Sequence, residues 1–492
     1  VVLQPAHFLA LVAGPLLALG LAAFLRWSPY GVALRASAEN SPRARLLGIP
    51  VRRVSTMAWV IAAMFAGAAS VLLAPIVGFS ATEAVGLVIL MRGLAAATIA
   101  RMESVSVAFG VGLALGVADQ LVFFWTGQSG LTDIVLFAVI VVVLIARSGP
   151  ARRTLSWEES SWEAAEPIRP LPPEVIAHPR WQSLVTAVAA VVVAGMVSAP
   201  ILLRSSATFF LASVFLIAAV VVSLTMLTGW AGQLSLGQWA LAGVGGIAGA
   251  KLVADVGVPF WIAFVAAAVI GAVVSLLLGI PALRIEGTGL AVVTLGFAIA
   301  SASWLYGQDW FGPTDFFAPP AYLTTDVLYG VNLAFLAAVI LAVRRLQTSR
   351  IGRNIVASRD NPRQVASFGV PVVRTKLTAF MVSGAIAAGA GFLWVAGTSL
   401  ATNQSFPPVR SLSMVAAAVI GGLGSISGAL VAALYLWGVP YFMAGVTPYI
   451  GLLSTGFGLL GLLLFLPGGL TRVIFGGRDR LARLLTGIDP NP

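Results

Sequence analysis

Apolar residues run along this chain in long, nearly uninterrupted blocks, with polar residues gathered between them. About 20 apolar residues suffice for a helix to cross the hydrocarbon core of a membrane. The pattern predicts spans at 8–25, 55–78, 85–101, 104–125, 131–147, 184–203, 208–227, 229–250, 259–282, 288–306, 328–346, 376–397, 410–422, 425–443 and 449–466. Span 85–101 is short and interrupted by Arg92. The expected fold is all-α, a polytopic transmembrane helix bundle.

The polar positions assign sides. Six basic residues fall in 26–53, eight in 344–376, five from Arg147 to Arg180 and four from Arg472 to Arg483. Excess Lys and Arg marks cytoplasmic loops. Loop 307–327 carries Asp309, Asp315 and Asp326 without Lys or Arg and reads as the outer face. Between successive basic loops lie four, six and four spans, so parity holds and the C-terminus is expected to be cytoplasmic. Arg284 and Glu286 read as a cytoplasmic loop pair.

Segment 148–182 differs in kind, with Pro150, Pro167, Pro170, Pro172, Pro173 and Pro179 among five glutamates. Such composition marks an extended or flexible linker. The expected organisation is a first membrane domain over 1–147, this linker, a second membrane domain over 183–475 and a cytoplasmic tail over 476–492.

Composition agrees. Of 492 residues, 59% are hydrophobic and 10% charged, against about half and a quarter in soluble domains. The hydrophobic fraction, about 290 residues, supplies 14 or 15 crossings at about 20 residues each. The net charge of +11 would suggest nucleic acid in a soluble chain. Here it is the sum of the cytoplasmic clusters, and no nucleic-acid partner is expected. Cysteine is absent, and His7 and His178 stand far apart, so no metal cluster or catalytic triad is expected. The chain starts at Val1 with no signal-peptide pattern, and the expectation is that processing or truncation removed the true start.

An internal repeat lies at an offset of 321 residues, where 28–74 aligns with 349–395 without a gap. The identities include Ser28/Ser349, Gly31/Gly352, Asn40/Asn361, Gly48/Gly369, Pro50/Pro371 and Arg53/Arg374. Downstream, Ala95-Ala96-Ala97 faces Ala416-Ala417-Ala418, and Ser104 faces Ser425. The small-residue bias of membrane helices does not place Asn, Gly, Pro and Arg in register within a loop. Two homologous domains are therefore expected, with about five and ten helices. The first would lack its opening five.

Each repeated loop reads as a short surface helix. Asn361 caps, Pro362 starts, Gly369 stops and Pro371 follows. Asn40, Pro42, Gly48 and Pro50 repeat the scheme, with Glu39 and Asp360 just before the start. An interfacial helix held to anionic lipid would look similar singly. Two copies suggest docking to a two-fold partner. The docking residues are expected to be Glu39, Asn40, Gly48, Arg53, Asp360, Asn361, Gly369 and Arg374. The chain has no GxxxxGK[ST] motif, so any nucleotide hydrolysis belongs to a partner.

Polar groups inside a membrane are functional candidates, with helix packing by small residues as the competing explanation. Gln233, Ser235 and Gln238 sit among Gly229, Gly232 and Gly237, and Thr294 lies in a second glycine-containing stretch. They are candidate pathway residues. Asp119, within span 104–125, is another, or else a residue near the helix end facing the outer rim.

The stretches Thr228–Gln238, Leu290–Phe297, Gly352–Lys376 and Gly421-Gly-Leu-Gly-Ser425 resemble the membrane (permease) subunits of branched-chain amino-acid ABC importers, a family that includes urea and amide uptake systems. Domain one resembles the C-terminal half of one permease, and domain two resembles a whole second permease. At Ala100-Arg-Met-Glu-Ser104 a charged pair replaces the family's glycine turn. The resemblance implies that the paired loops are coupling helices seated in two ATPase subunits. It also implies a separate extracytoplasmic solute-binding protein and a multi-pass location in the bacterial inner membrane. No cofactor is expected in the chain, since ATP would be bound by the partners. The chain itself is expected not to be an enzyme. The alternative is an ion-coupled secondary transporter, which needs a midplane carboxylate, for which Asp119 is the candidate.

Overall fold

The structure is a computed structural model that describes residues 5–77, 83–100, 102, 104–127, 130–147, 171–282, 288–311, 317–443, 460–461, 464–465 and 469–488. Span 449–466 falls almost wholly outside these residues, as do most of the linker, Arg284 with Glu286, Arg101 with Glu103, and Asp315. Among the described residues every regular element is helical, and nine helices are long and apolar enough to cross a membrane.

The chain packs as two compact units, Val1–Thr132 and Asp133–Pro492. The first begins with α1 (Pro5–Trp27), α2 (Pro29–Glu39) and α3 (Ser41–Leu46). It continues with α4 (Val51–Val77), α5 (Glu83–Ile99) and α6 (Val105–Thr126). Neither α1 nor α6 buries any residue, and both are largely apolar, α6 carrying Asp119 and Gln120. Helices of that kind satisfy their own backbone groups and can present every face to lipid or to other membrane helices.

The two packing units divide between Thr132 and Asp133. In α7 (Gly130–Arg147), Phe137 lies 6.2 Å from the Phe297 ring, and a Cβ on Gly296 would meet Phe137 at 3.1 Å. Packing thus joins α7 to the second unit, although chain order and the repeat place it in the first domain.

The second unit continues with α8 (Pro173–Ala177), α9 (Pro179–Leu202), α10 (Ser205–Thr225), α11 (Gln238–Ala254), α12 (Phe260–Ala282) and α13 (Thr288–Ser303). Then come α14 (Thr325–Thr348), α15 (Arg350–Asp360), α16 (Pro362–Ser367), α17 (Val372–Thr398), α18 (Pro408–Gly421), α19 (Ile426–Ala433), α20 (Val439–Met443) and α21 (Gly469–Thr486). Its core is one cluster centred on α10, α11 and α17, most of whose residues are buried. Small residues bring these helices together: a Cβ on Gly391 of α17 would sit on the Ala242 backbone, and Gly384 lies against Gly271 and Ser275 of α12.

One expectation is adjusted. Span 229–250 is not one helix. A π-turn at Met226–Trp230 is followed by non-helical chain, and α11 starts only at Gln238. Residues 476–486 lie in α21, whose Ala482 packs with Val175 and Trp181 at the end of the linker.

Candidate functional site

The two repeated loops have the same backbone. Ser28 and Ser349 cap α2 and α15, each accepting a hydrogen bond at 3.2 Å from the amide of Gly31 or Gly352. Both glycines press on the backbone at the end of the preceding helix, where a side chain has no room. Asn40 and Asn361 then turn the chain with φ/ψ of −153°/94° and −149°/85°. Their Oδ1 atoms cap α3 and α16, accepting from Arg43 at 2.9 Å and Gln364 at 3.0 Å. Gly48 and Gly369 close the motif at φ 79° and 78°, a left-handed conformation that favours glycine.

Each loop therefore holds two helices, where the sequence indicated one. Glu39 and Asp360 end the first of them, and Asp360 pairs with Arg359 at 2.8 Å. Arg53 and Arg374 lie exposed in the first turns of α4 and α17. At the C-cap of each short helix an apolar side chain projects outward, with Leu47 79% and Phe368 77% exposed. The two are 321 positions apart and occupy one place in the repeat.

The candidate pathway residues meet at the start of α11. Gln238 is fully buried, and its Nε2 donates to Ser223 Oγ at 3.0 Å and Ser383 Oγ at 2.6 Å. Three helices are thereby tied at one point, while Gln238 Oε1 stays buried without a hydrogen-bond partner among the described residues. Thr294 Oγ1 accepts from the Leu236 amide at 2.9 Å, satisfying extended chain where no helical carbonyl is available. Ser235 Oγ accepts from the Gly237 amide at 3.4 Å. Gln233 is part-buried and bonds locally to the Ala231 carbonyl at 3.3 Å. Non-helical backbone survives at membrane depth only when packed in protein or beside a cavity. Ala231, Ser235 and Gly237 are buried in protein, whereas Gly232 is exposed.

Asp119 is not part of this group. It lies in the first unit, where Asp119 Oδ2 and Arg92 Nη1 form a 2.8 Å ion pair between α6 and α5. The charge that interrupts span 85–101 thus has its counter-charge on the next helix.

One contact residue was not legible as such. Arg359, near the end of α15, reaches out of the loop, and its guanidinium donates to the Gly229 carbonyl. Its Cγ lies 2.8 Å from where a Gly232 Cβ would be. The Gly421–Ser425 turn packs on the same place, with Trp230 Nε1 donating to the Gly424 carbonyl at 3.1 Å. The cytoplasm-type loop of the second unit is thus bonded directly to the broken helix. Within the Arg-rich run, nothing in the sequence separates Arg359 from its neighbours.

At the end of the second unit away from this loop lies a cavity of about 410 Å³ between α10, α17, α18 and the segment around Trp437.

Apolar helices in two units, a duplicated exposed loop and a broken helix bonded to one of those loops define a multi-pass membrane transport component. The family described as "Branched-chain amino acid transport system / permease component" matches residues 4–144 and 205–466, and the chain belongs to it. The chain is 29% identical over 246 residues to the high-affinity branched-chain amino acid transport system permease protein LivM of Salmonella typhimurium, covering 43% of this chain and 58% of the relative. It is 36% identical over 127 residues to the permease protein LivH of the same organism, covering 26% and 41%. It is 30% identical over 123 residues to the autoinducer 2 import system permease protein LsrC of an Enterobacter species, covering 23% and 36%. The matches thus span 58% of LivM and 41% of LivH, less than two thirds of either relative. No solved structure matches it.

Proposed function

We propose that this chain forms the translocation route of an ATP-driven importer for branched-chain amino acids or a related small polar solute. Two separate ATPase subunits would seat Glu39–Gly48 and Asp360–Gly369, and a solute-binding protein would deliver cargo at the opposite face. The basic loops and the C-terminus are then cytoplasmic. ATP is bound by the partners, and this chain supplies no catalysis.

The observation that carries the reading is the matched pair of loops. Equal cap geometry, equal left-handed stops and an equally exposed Leu47 or Phe368 suit two copies of one partner better than lipid alone. Nucleotide-driven closure of that partner would move α15 and α16, and Arg359 would pass the shift to 226–237. Gln233, Ser235, Gln238 and Thr294 line the route in this reading. An ion-coupled mechanism needs a titrating carboxylate at the midplane, and Asp119 already neutralises Arg92.

The test is copurification of the chain with two soluble Walker-motif subunits, before and after replacing 41–47 and 362–368 by Gly/Ser loops. The wild-type chain should retain both subunits and the doubly replaced chain neither. Undiminished retention by the replaced chain rejects the docking assignment.

A further inference from the structure

Arg410 is a charged group of the second unit that neither the coupling loop nor the broken helix uses. Arg410 stands in the first turn of α18, on the wall of the 410 Å³ cavity. Its guanidinium carbon lies 5.1 Å from the Trp394 ring and 5.4 Å from the Trp239 ring. No carboxylate pairs with it among the described residues. The aromatic faces offset part of its charge. A cation on a membrane-spanning helix normally finds an anion, and none is supplied here by the described protein residues.

We propose that this cavity is a binding site for the carboxylate of a small aliphatic solute. Arg410 would receive the carboxylate through two parallel N–H donors, the geometry its planar fork favours. The α18 N-terminus adds positive potential from behind. The rest of the lining fits an aliphatic tail: Phe209, Val214 and Ile217 on α10 are apolar, with Ser206 and Ser213 as the small polar positions. The volume suits a small molecule.

Two further features place the site on the solute's way. Trp239 lies behind the lining, against Arg410 and Trp394, held by a 3.0 Å bond from its amide to Ser411 Oγ and a 3.3 Å bond from its indole to the Ser405 carbonyl. The next residue is Gln238, whose Oε1 awaits a donor. The cation is not repeated at the equivalent position of the first domain, because the residue 321 positions before Arg410 is Ile89. This site rests on the importer reading and narrows it, since a carboxylate-bearing solute is favoured over urea or a simple amide.

The test uses the full chain in nanodiscs of phosphatidylcholine alone, with tryptophan fluorescence as the readout. The probes are L-leucine, isovalerate, isoamylamine, L-leucinamide and urea. Leucine and isovalerate should quench saturably, and the three probes lacking a carboxylate should not. R410A should weaken the carboxylates at least tenfold while R410K retains part of the affinity; equal elution profiles of the variants show that the fold is kept. Equal quenching by isoamylamine and isovalerate overturns the proposal. So does wild-type affinity in R410A, or loss of quenching once phosphatidylglycerol is added, which would mark a lipid-headgroup site. Uptake of leucine by whole cells separates the two readings. If uptake persists in R410A with unchanged KM, the site falls and the importer stands.

Discussion

Arg359 donates a hydrogen bond to the Gly229 carbonyl, and its stem fills the space left by Gly232. The repeated loop of the second unit is thereby fastened to a place where an apolar helix is interrupted. In the first repeat the equivalent position is Ala38, which has no such reach. On the proposed function, the two loops would therefore act on the bundle unequally.

Replacing Arg359 by Ala should uncouple the machine without releasing it. The cap at Asn361 and the exposed Phe368 are untouched, so the ATPase subunits should still bind. Solute uptake should fall about tenfold or more, as expected for loss of a coupling energy of about 1–3 kcal/mol. ATP hydrolysis and uptake measured on the same proteoliposomes check this. A parallel fall in subunit binding would mean that Arg359 is part of the docking surface instead.

The two asparagine caps should behave alike. Asn40→Ala and Asn361→Ala should each cost about 1 kcal/mol of local helix stability. Because the sites are far apart in sequence and share no partner, their effects on affinity for the ATPase subunits should be additive. Surface plasmon resonance on the single and double variants reads this directly.

Gly391 tests the packing of the second unit. A methyl group there meets the Ala242 backbone, whereas one on Gly67 meets nothing within 4 Å. Gly391→Ala should destabilise by about 1–3 kcal/mol through overpacking, and Gly67→Ala should be near neutral. Thermal unfolding in detergent distinguishes them.

The Arg92–Asp119 pair offers a double-mutant cycle. Asp119→Asn should lower stability by leaving a cation without its counter-charge inside a span. Adding Arg92→Gln should restore part of the loss, with a coupling of about 1–2 kcal/mol for a contacting pair. Uptake by the double variant should keep its pH dependence. Abolished uptake with normal stability would instead favour an ion-coupled mechanism through Asp119.

Much of this was legible in the sequence. Span positions followed from hydropathy, and the Asn-Pro start and Gly stop of each loop carry their own backbone instructions. The break before Gln238 was only half legible, because glycines at 229, 232 and 237 permit either close packing or interruption. Thr294, 58 residues away, helps to hold the interruption through its bond to Leu236. Arg359 and Arg410 were hidden for a related reason. One lies in a basic run and the other among apolar residues, and each has a contact more than a hundred positions distant, Gly229 for Arg359 and Trp239 for Arg410. The Arg92–Asp119 pair was closer to view, since two opposite charges on consecutive spans can meet across a hairpin.

The most direct test is ATP-driven uptake of radiolabelled leucine into proteoliposomes holding the chain, its ATPase subunits and its binding protein. It should be run with the wild-type chain and with the L47D/F368D double variant. Wild-type uptake should require ATP and cease in the double variant, while wild-type protein without ATP accumulates nothing even under an imposed proton or sodium gradient. Gradient-driven uptake without ATP, unchanged in the double variant, would contradict a permease worked through its paired loops.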